Sequence, residues 1–379
     1  MKRIYWRPRG VSTNELLVIS AVSIAALVVV QIFPERTSEA YLQQMLEAAR
    51  LASEGMDVVR EERTRRRIPI DPIADPTGSG LIGVAMSDVT SNTGNLLAKQ
   101  TTVNPNWAAV LVQLLREAGV GEGDTVAVGV SGSFPGLNLS LYAAMATLRV
   151  EPIVISSLSG SQWGANHPKF LWPDMERVLH QRKIFPFRSV AISLGGAEDR
   201  ALGLSEGGIA LLQSAVRRNK VPFLEPQSYA ESVVERMAIY RDAAGDKPIR
   251  AYVNVGGGTS SVGTRRSKFA FQPGVNRQTP PKAALIDSVM ARFLDEGIPV
   301  VHLLQVNRMA QRYGLPLSPQ VRPPVGSGQV FLLRRYSSLL TGGALATVVA
   351  SLLLFIRSGR GRMALQSRGR HHDQLEPTL

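Results

Sequence analysis

The apolar positions divide the chain into three zones. Residues 16–34 carry no charge, and Leu16 to Val30 is apolar on every face apart from scattered serines. As a helix this nineteen-residue stretch reaches ~28 Å, close to the hydrocarbon thickness of a bilayer. Residues 336–356 form a second uncharged stretch, with Gly342, Gly343 and several alanines, as spanning helices often have. Between them the pattern is that of a folded domain. Leu42, Met45, Leu46 and Ala49 recur at helical spacing with charges interleaved, which predicts a helix over 37–64, either a stalk or a helix packed on the domain. Prolines 69, 72 and 76 then read as a linker. From residue 80, short β-branched runs alternate with helical patterns. The predicted strands are 81–85, 125–130, 152–155, 189–193, 250–255 and 299–303. The predicted helices are 107–118, 137–148, 174–182, 207–218, 229–243, 283–296 and 306–313. This alternation predicts an α/β fold: a largely parallel sheet with helices on both faces, flanked by one transmembrane helix at each end. The expected organisation is a basic tail (1–15), a span (16–34), a helical stalk and Pro-rich linker (35–79), an α/β domain (80–333), a second span (336–356) and a basic tail (357–379).

Charge changes this picture by giving it an orientation. The formal net charge is +13, from 43 Lys and Arg against 30 Asp and Glu. Lys2, Arg3, Arg7 and Arg9 precede the first span, and Arg357, Arg360, Arg362, Arg368 and Arg370 follow the second. Cationic loops stay on the cytoplasmic side, so both termini are expected inside and residues 37–333 outside the plasma (inner) membrane. Arg334 and Arg335 fit as anchors at headgroup level. Ser38-Glu-Ala40 weakly resembles a cleavage site, but the apolar run is long for a signal peptide and Glu35-Arg36 intervene, so an uncleaved anchor is expected. Basic residues cluster at Arg63-Thr-Arg-Arg-Arg67 and not elsewhere in the middle zone, so no nucleic-acid partner is expected. The chain has no cysteine, which removes disulfides, thiolate zinc sites and a cysteine nucleophile.

In sheets of this kind, ligands bind at the carboxyl ends of the strands. Five loops placed there are rich in Gly, Ser, Thr and Asn: 87–94, 131–136, 157–167, 194–199 and 256–263. Ser131-Gly132-Ser133 follows a buried strand and offers backbone N–H groups and hydroxyls to an anion, or simply caps the next helix. Gly256-Gly257-Gly258 and Thr259 allow close approach of a ligand, or make a turn that needs positive φ. Asn138, Ser157, Trp163 and Asn166 complete the candidate ligand-binding set. For catalysis the candidates are Ser131, Ser133 or Ser157 as nucleophile, His167 as base, and Asp88, Glu198 or Asp199 as acid/base groups. Each has an ordinary counterpart reading as a hydrogen-bonding or solvated residue. Lys99, Lys169 and Arg265-Arg266 lie near these loops and are candidate partners for carboxylates. No Walker lysine or GxSxG elbow is present, and no two histidines have metal-ligand spacing. No metal or cofactor is expected.

Several segments together resemble the poly-gamma-glutamate system protein family (PgsW-like). They are Asn104-Pro-Asn-Trp-Ala-Ala109, Gly129-Val-Ser-Gly-Ser-Phe-Pro-Gly-Leu-Asn138, Ile155-Ser-Ser157, Trp163-Gly-Ala-Asn166, Asp174-Met-Glu176, Asn254-Val-Gly-Gly-Gly258 and Tyr313-Gly-Leu-Pro316. The resemblance runs from about residue 80 to 328. It implies an accessory protein of poly-gamma-glutamate synthesis or export, working beside an amide ligase and a small membrane subunit, with the polyanionic polymer and the lipid bilayer as partners. It carries over no catalytic residues. The alternative is an extracytoplasmic hydrolase or transferase acting on gamma-glutamyl amide bonds.

Overall fold

The computed structural model describes residues 13–36, 39–263, 269–332, 334–336 and 338–357. The chain forms two compact units, one spanning residues 39–332 and one made from the two ends of the chain.

The larger unit is built on a seven-stranded sheet. Its strands are β1 (Thr125–Ser131), β2 (Glu151–Ser157), β3 (Ala191–Ser193), β4 (Phe223–Leu224), β5 (Ile249–Val255), β6 (Gly274–Asn276) and β7 (Val300–Leu303). The spatial order is β6-β7-β5-β1-β2-β3-β4. Pairing is parallel throughout, except for β6 at one edge, which runs antiparallel to β7. The α-helices among the described residues of this unit are α1 (Glu39–Arg65), α2 (Leu96–Thr102), α3 (Trp107–Glu117), α4 (Pro135–Leu148), α5 (Trp172–Gln181), α6 (Glu206–Asn219), α7 (Tyr229–Ala244), α8 (Thr259–Val262), α9 (Val289–Asp295) and α10 (Val306–Arg312).

Central strands read as near-continuous apolar runs because both of their faces are covered. In β1, Ala127 joins Ile153, Ile155 and Tyr252 in a core closed by Val233, Met237 and Tyr240 of α7 and Phe293 of α9. Val126 and Val128 alternate with Ala127 and are equally buried, and α4 packs against this strand. Helix starts follow local chemistry. The Ser205 and Ser228 hydroxyls accept the N–H groups of Gly208 and Glu231, and the Asp174 carboxylate takes the N–H of Leu171 at the start of α5.

Four sequence expectations are corrected. First, of the two readings of the opening helix, the one packed on the domain holds and the stalk does not: Met45, Ala48, Ala49, Ala52, Met56 and Val59 of α1 are fully buried, against α3 and α4. Second, the Pro-rich run after it is docked rather than a free linker. The Arg63 guanidinium donates to the carbonyls of Pro69, Gly80 and Ile82, and the buried Asp75 carboxylate accepts the N–H groups of Ser79 and Gly80. Third, residues 81–85 form no strand, because the Asn166 side chain takes both backbone groups of Val84. Fourth, the helix expected over 283–296 is α9 alone, since Ser288 caps it by accepting from Ala291. Leu96–Thr102, Phe223–Leu224 and Gly274–Asn276 are elements the periodicity did not announce.

In the smaller unit, helices Thr13–Ile32 and Ser338–Arg357 pack on each other, and Pro34–Arg36 pairs antiparallel with Arg334–Tyr336. The first helix therefore stops two residues before its uncharged stretch does, and the second begins two residues after its stretch begins. Pro34 disfavours a helical conformation at Phe33, and Tyr336 lies in the strand pair. Among the described residues, one helical segment, Ser338–Phe355, is long and apolar enough to cross a membrane; Leu16–Ile32 is a shorter apolar helix.

Candidate functional site

The chain leaves β1 towards β2, β3 and β4 on one side and returns at β5, which leads to β7 on the other. The sheet therefore has its topological switch point between β1 and β5, where a crevice opens beyond the strand ends. A cleft of about 630 Å³ lies there. All five glycine- and hydroxyl-rich loops contribute to it: Ser91 to Gly94, Ser131 and Ser133, Ser157, Ser159 and Ser161, Gly195 to Ala197 with Asp199, and Gly257 to Gly263.

The loops are held in place by backbone contacts that require small residues. Gly132 donates its N–H to Ser157 O (3.2 Å) and accepts from Ala165 N (2.7 Å). A Cβ there would lie 2.9 Å from Ser159 O and 3.0 Å from Leu158 O. Gly256 has φ +92°, and a Cβ on it would lie 2.9 Å from Ser131 Oγ. Ser133 Oγ accepts the N–H of Ser161 (3.1 Å), and Ser131 Oγ accepts that of Ser133 (3.3 Å). Asn138 does not line the cleft. It is buried, and its Nδ2 donates to Ser131 O (2.9 Å), so it fixes the first loop from behind.

Two cations and one carboxylate lie at the cleft. Lys99 is buried; its Nζ donates to Ser133 O and to Ser161 Oγ (2.8 Å) and sits 3.8 Å from the centre of the Phe134 ring. Arg236, from α7, forms a buried ion pair with Asp199 at 2.7 Å. Burial works against the guanidinium charge, but Asp199 together with Tyr240 and Tyr252 outweighs it, so the pKa of Arg236 is raised. Ser193 and Ser232 donate to the two Asp199 oxygens at 2.6 and 2.8 Å, and Ser157 Oγ stands 3.3 Å from Ser193 Oγ. The Asp199 loop carries positive φ at Gly195, Gly196, Glu198, Asp199 and Ala201, a conformation the network must hold. The cleft also holds a buried hydroxyl, Ser159 Oγ, without a hydrogen-bond partner among the described residues.

Several sequence candidates fall outside the cleft. His167 lines a separate small cavity with Arg63 and Phe170, and accepts a hydrogen bond from Lys169 N (3.3 Å). It makes no hydrogen bond to Ser131, Ser133 or Ser157, so the expected serine–histidine pairing is not formed. Burial, then Arg63 and Lys169, lower its pKa. Asn166 is structural: its amide spends both ends on Val84 and also donates to Thr90. Trp163 holds φ +56° and exchanges backbone hydrogen bonds with Gly83 and Val84, away from the cleft lining. Asp88 is exposed, and Glu198 is half-exposed and paired with Arg200 (3.6 Å). Lys169 is exposed, and Arg265-Arg266 lie outside the described residues.

Arg236 was missed. The available signal was a charge on the apolar stripe of a helix: it stands three residues after Val233 and four before Tyr240. A cation in that position has to find a buried partner.

No family model, curated protein or solved structure matches the chain.

Proposed function

We propose that this protein is a membrane-anchored accessory subunit of poly-gamma-glutamate synthesis or export, and that its cleft binds the polyanionic polymer. In this reading the two terminal helices hold it in the plasma membrane with both termini cytoplasmic. Residues 37–333 face outward, beside the ligase and the small membrane subunit. The observation that carries the reading is the convergence of five hydroxyl- and glycine-rich loops, with Lys99 and Arg236 at their base, on the switch point of the sheet. Backbone N–H groups, hydroxyls and a lysine suit carboxylate recognition, and such a cleft needs no nucleophile. The apolar helices at both chain ends support the anchoring.

Titration of the detergent-solubilised full chain with poly-gamma-glutamate tests the binding. Tight binding at low salt that weakens at high salt is expected. Absence of binding at both would defeat the reading. Reporter fusions within 37–333 test the topology: a reporter active only in the cytosol would overturn it.

One contact favours the alternative, a hydrolase or transferase of gamma-glutamyl amides. Lys99 Nζ lies 2.8 Å from Ser161 Oγ, and serine–lysine pairs can serve acyl transfer. Mass spectrometry after incubation with gamma-glutamyl oligomers decides it. Cleavage products, or an acyl group on Ser161 that is lost in Ser161→Ala, would favour the enzyme.

A further inference from the structure

A second cavity, of about 350 Å³, lies between the C-terminal turn of α1 and helix α5 and shares no residue with the cleft. Its walls carry Arg65, Arg66, Arg177 and Arg182 against a single acid, Glu62. The short basic run after residue 62, unremarkable as a solvated helix end, is thus faced by two more arginines that lie more than a hundred residues away in sequence.

The acids nearby are already committed. Glu62 is buried and serves two guanidiniums at once: Arg65 donates to it at 2.6 and 2.7 Å, and Arg66 at 2.7 Å. Asp174 takes two hydrogen bonds from Arg218, at 2.6 and 2.7 Å, and others from Leu171 and Asn219. Arg177 is left with a long 3.4 Å contact to it and a carbonyl of Arg218, and its Nε is buried without a partner among the described residues. Arg182 has no carboxylate partner among the described residues. Burial lowers the pKa of Arg177, and the charges of Arg66, Arg188 and Arg218 lower it further, against the opposing pull of Asp174. Cations at helix C-termini compensate the helix dipole, which accounts for Arg65 and Arg182. It does not account for Arg177, which sits in the middle of α5, or for the concave shape. A crowded set of guanidiniums with one shared acid is relieved by an external anion.

We infer that this arginine groove is a second binding site for a polycarboxylate chain, engaging successive carboxylates through charge-assisted hydrogen bonds. The inference rests on the polymer-binding reading above. The cleft would recognise a short segment, and the groove would add affinity for long chains through a second point of attachment.

The test compares Arg182→Glu and Arg177→Gln with the wild type, using full-length protein in neutral detergent. Arg250→Glu, at an exposed site outside the groove, gives the same charge change as Arg182→Glu. Ligands are long poly-gamma-glutamate and a gamma-glutamyl trimer. Loss of about tenfold in long-polymer affinity at low salt is expected for Arg182→Glu, in line with exposed charge pairs summed over several contacts. Trimer affinity and the Arg250→Glu variant should stay near wild type, and the difference should vanish at high salt. Arg177→Gln should act in the same direction, which guards against a folding defect in either variant. Unchanged long-polymer binding in both groove variants would overturn the inference while leaving the cleft reading intact. So would phosphatidylglycerol vesicles that bind wild type but not the groove variants while polymer binding is unaltered. No polymer or trimer binding by wild type would remove the parent reading and this inference together.

Discussion

The 39–332 unit contains a buried ion pair whose loss is measurable. Asp199 and Arg236 are each about 5% exposed and joined at 2.7 Å. Removing one partner leaves the other buried and uncompensated. Arg236→Met is therefore expected to cost about 3–5 kcal/mol, a fall on the order of 10 °C in Tm for a domain of this size. Thermal denaturation followed by circular dichroism checks it; a shift within error would mean the pair is dispensable. Glu176 is the second case. It is fully buried, and burial raises its pKa, although the Tyr142 hydroxyl and the Ser189 hydroxyl and N–H all donate to its carboxylate. The folded state thus keeps a proton that an unfolded glutamate releases near pH ~4.3. This group's contribution to stability is full below that pH, falls as pH rises towards the folded pKa, and is level beyond it. Glu176→Gln should flatten this part of the stability–pH curve and be at least as stable as wild type at neutral pH. Urea midpoints measured across the range decide the matter, and an unaltered slope would exclude Glu176 as its source.

Between elements, close approach rather than side-chain chemistry shapes the cleft. The β1–α4 turn lies against the loop after β2, with Gly132 between them. Gly132→Ala places a methyl group 2.9 Å from the backbone carbonyl of Ser159, a residue whose own N–H is held by Leu194 O. The loops must separate, at a cost of about 1–3 kcal/mol, and ligand affinity should fall with stability. A Gly132→Ala protein with wild-type melting and wild-type binding would show that the turn is looser than its contacts imply. The long elements were legible from periodicity: β1, β2, β5, α3, α4 and α7 all lie within two residues of where the apolar pattern puts them. The misses have two causes. Phe223–Leu224 and Gly274–Asn276 are too short to show a period, and residues 81–85 have strand-like composition but give their hydrogen bonds to Asn166. The candidate site was legible as composition, in five loops, but not as membership. His167, Asn166 and Trp163 stand in the richest of those loops and still face elsewhere.

For the molecule as a whole, residues 39–332 have their own sheet, cores and caps. Expressed alone, this unit is expected to be soluble without detergent and to unfold in one cooperative transition. Aggregation of the isolated unit, or a non-cooperative melt, would show that it depends on the chain ends. The sequence by itself determined the class of the fold, the apolar ends and the loops where polar and small residues gather. These are properties of neighbours along the chain, carried by periods of two and 3.6 residues and by runs without charge. Tertiary structure alone decided that α1 belongs to the core, that five loops share one cleft without His167, and that Arg177 and Arg182 face Arg65 and Arg66. Each of these depends on which distant segments meet. That is set by packing both faces of the sheet and by satisfying buried polar groups, and no local pattern encodes it.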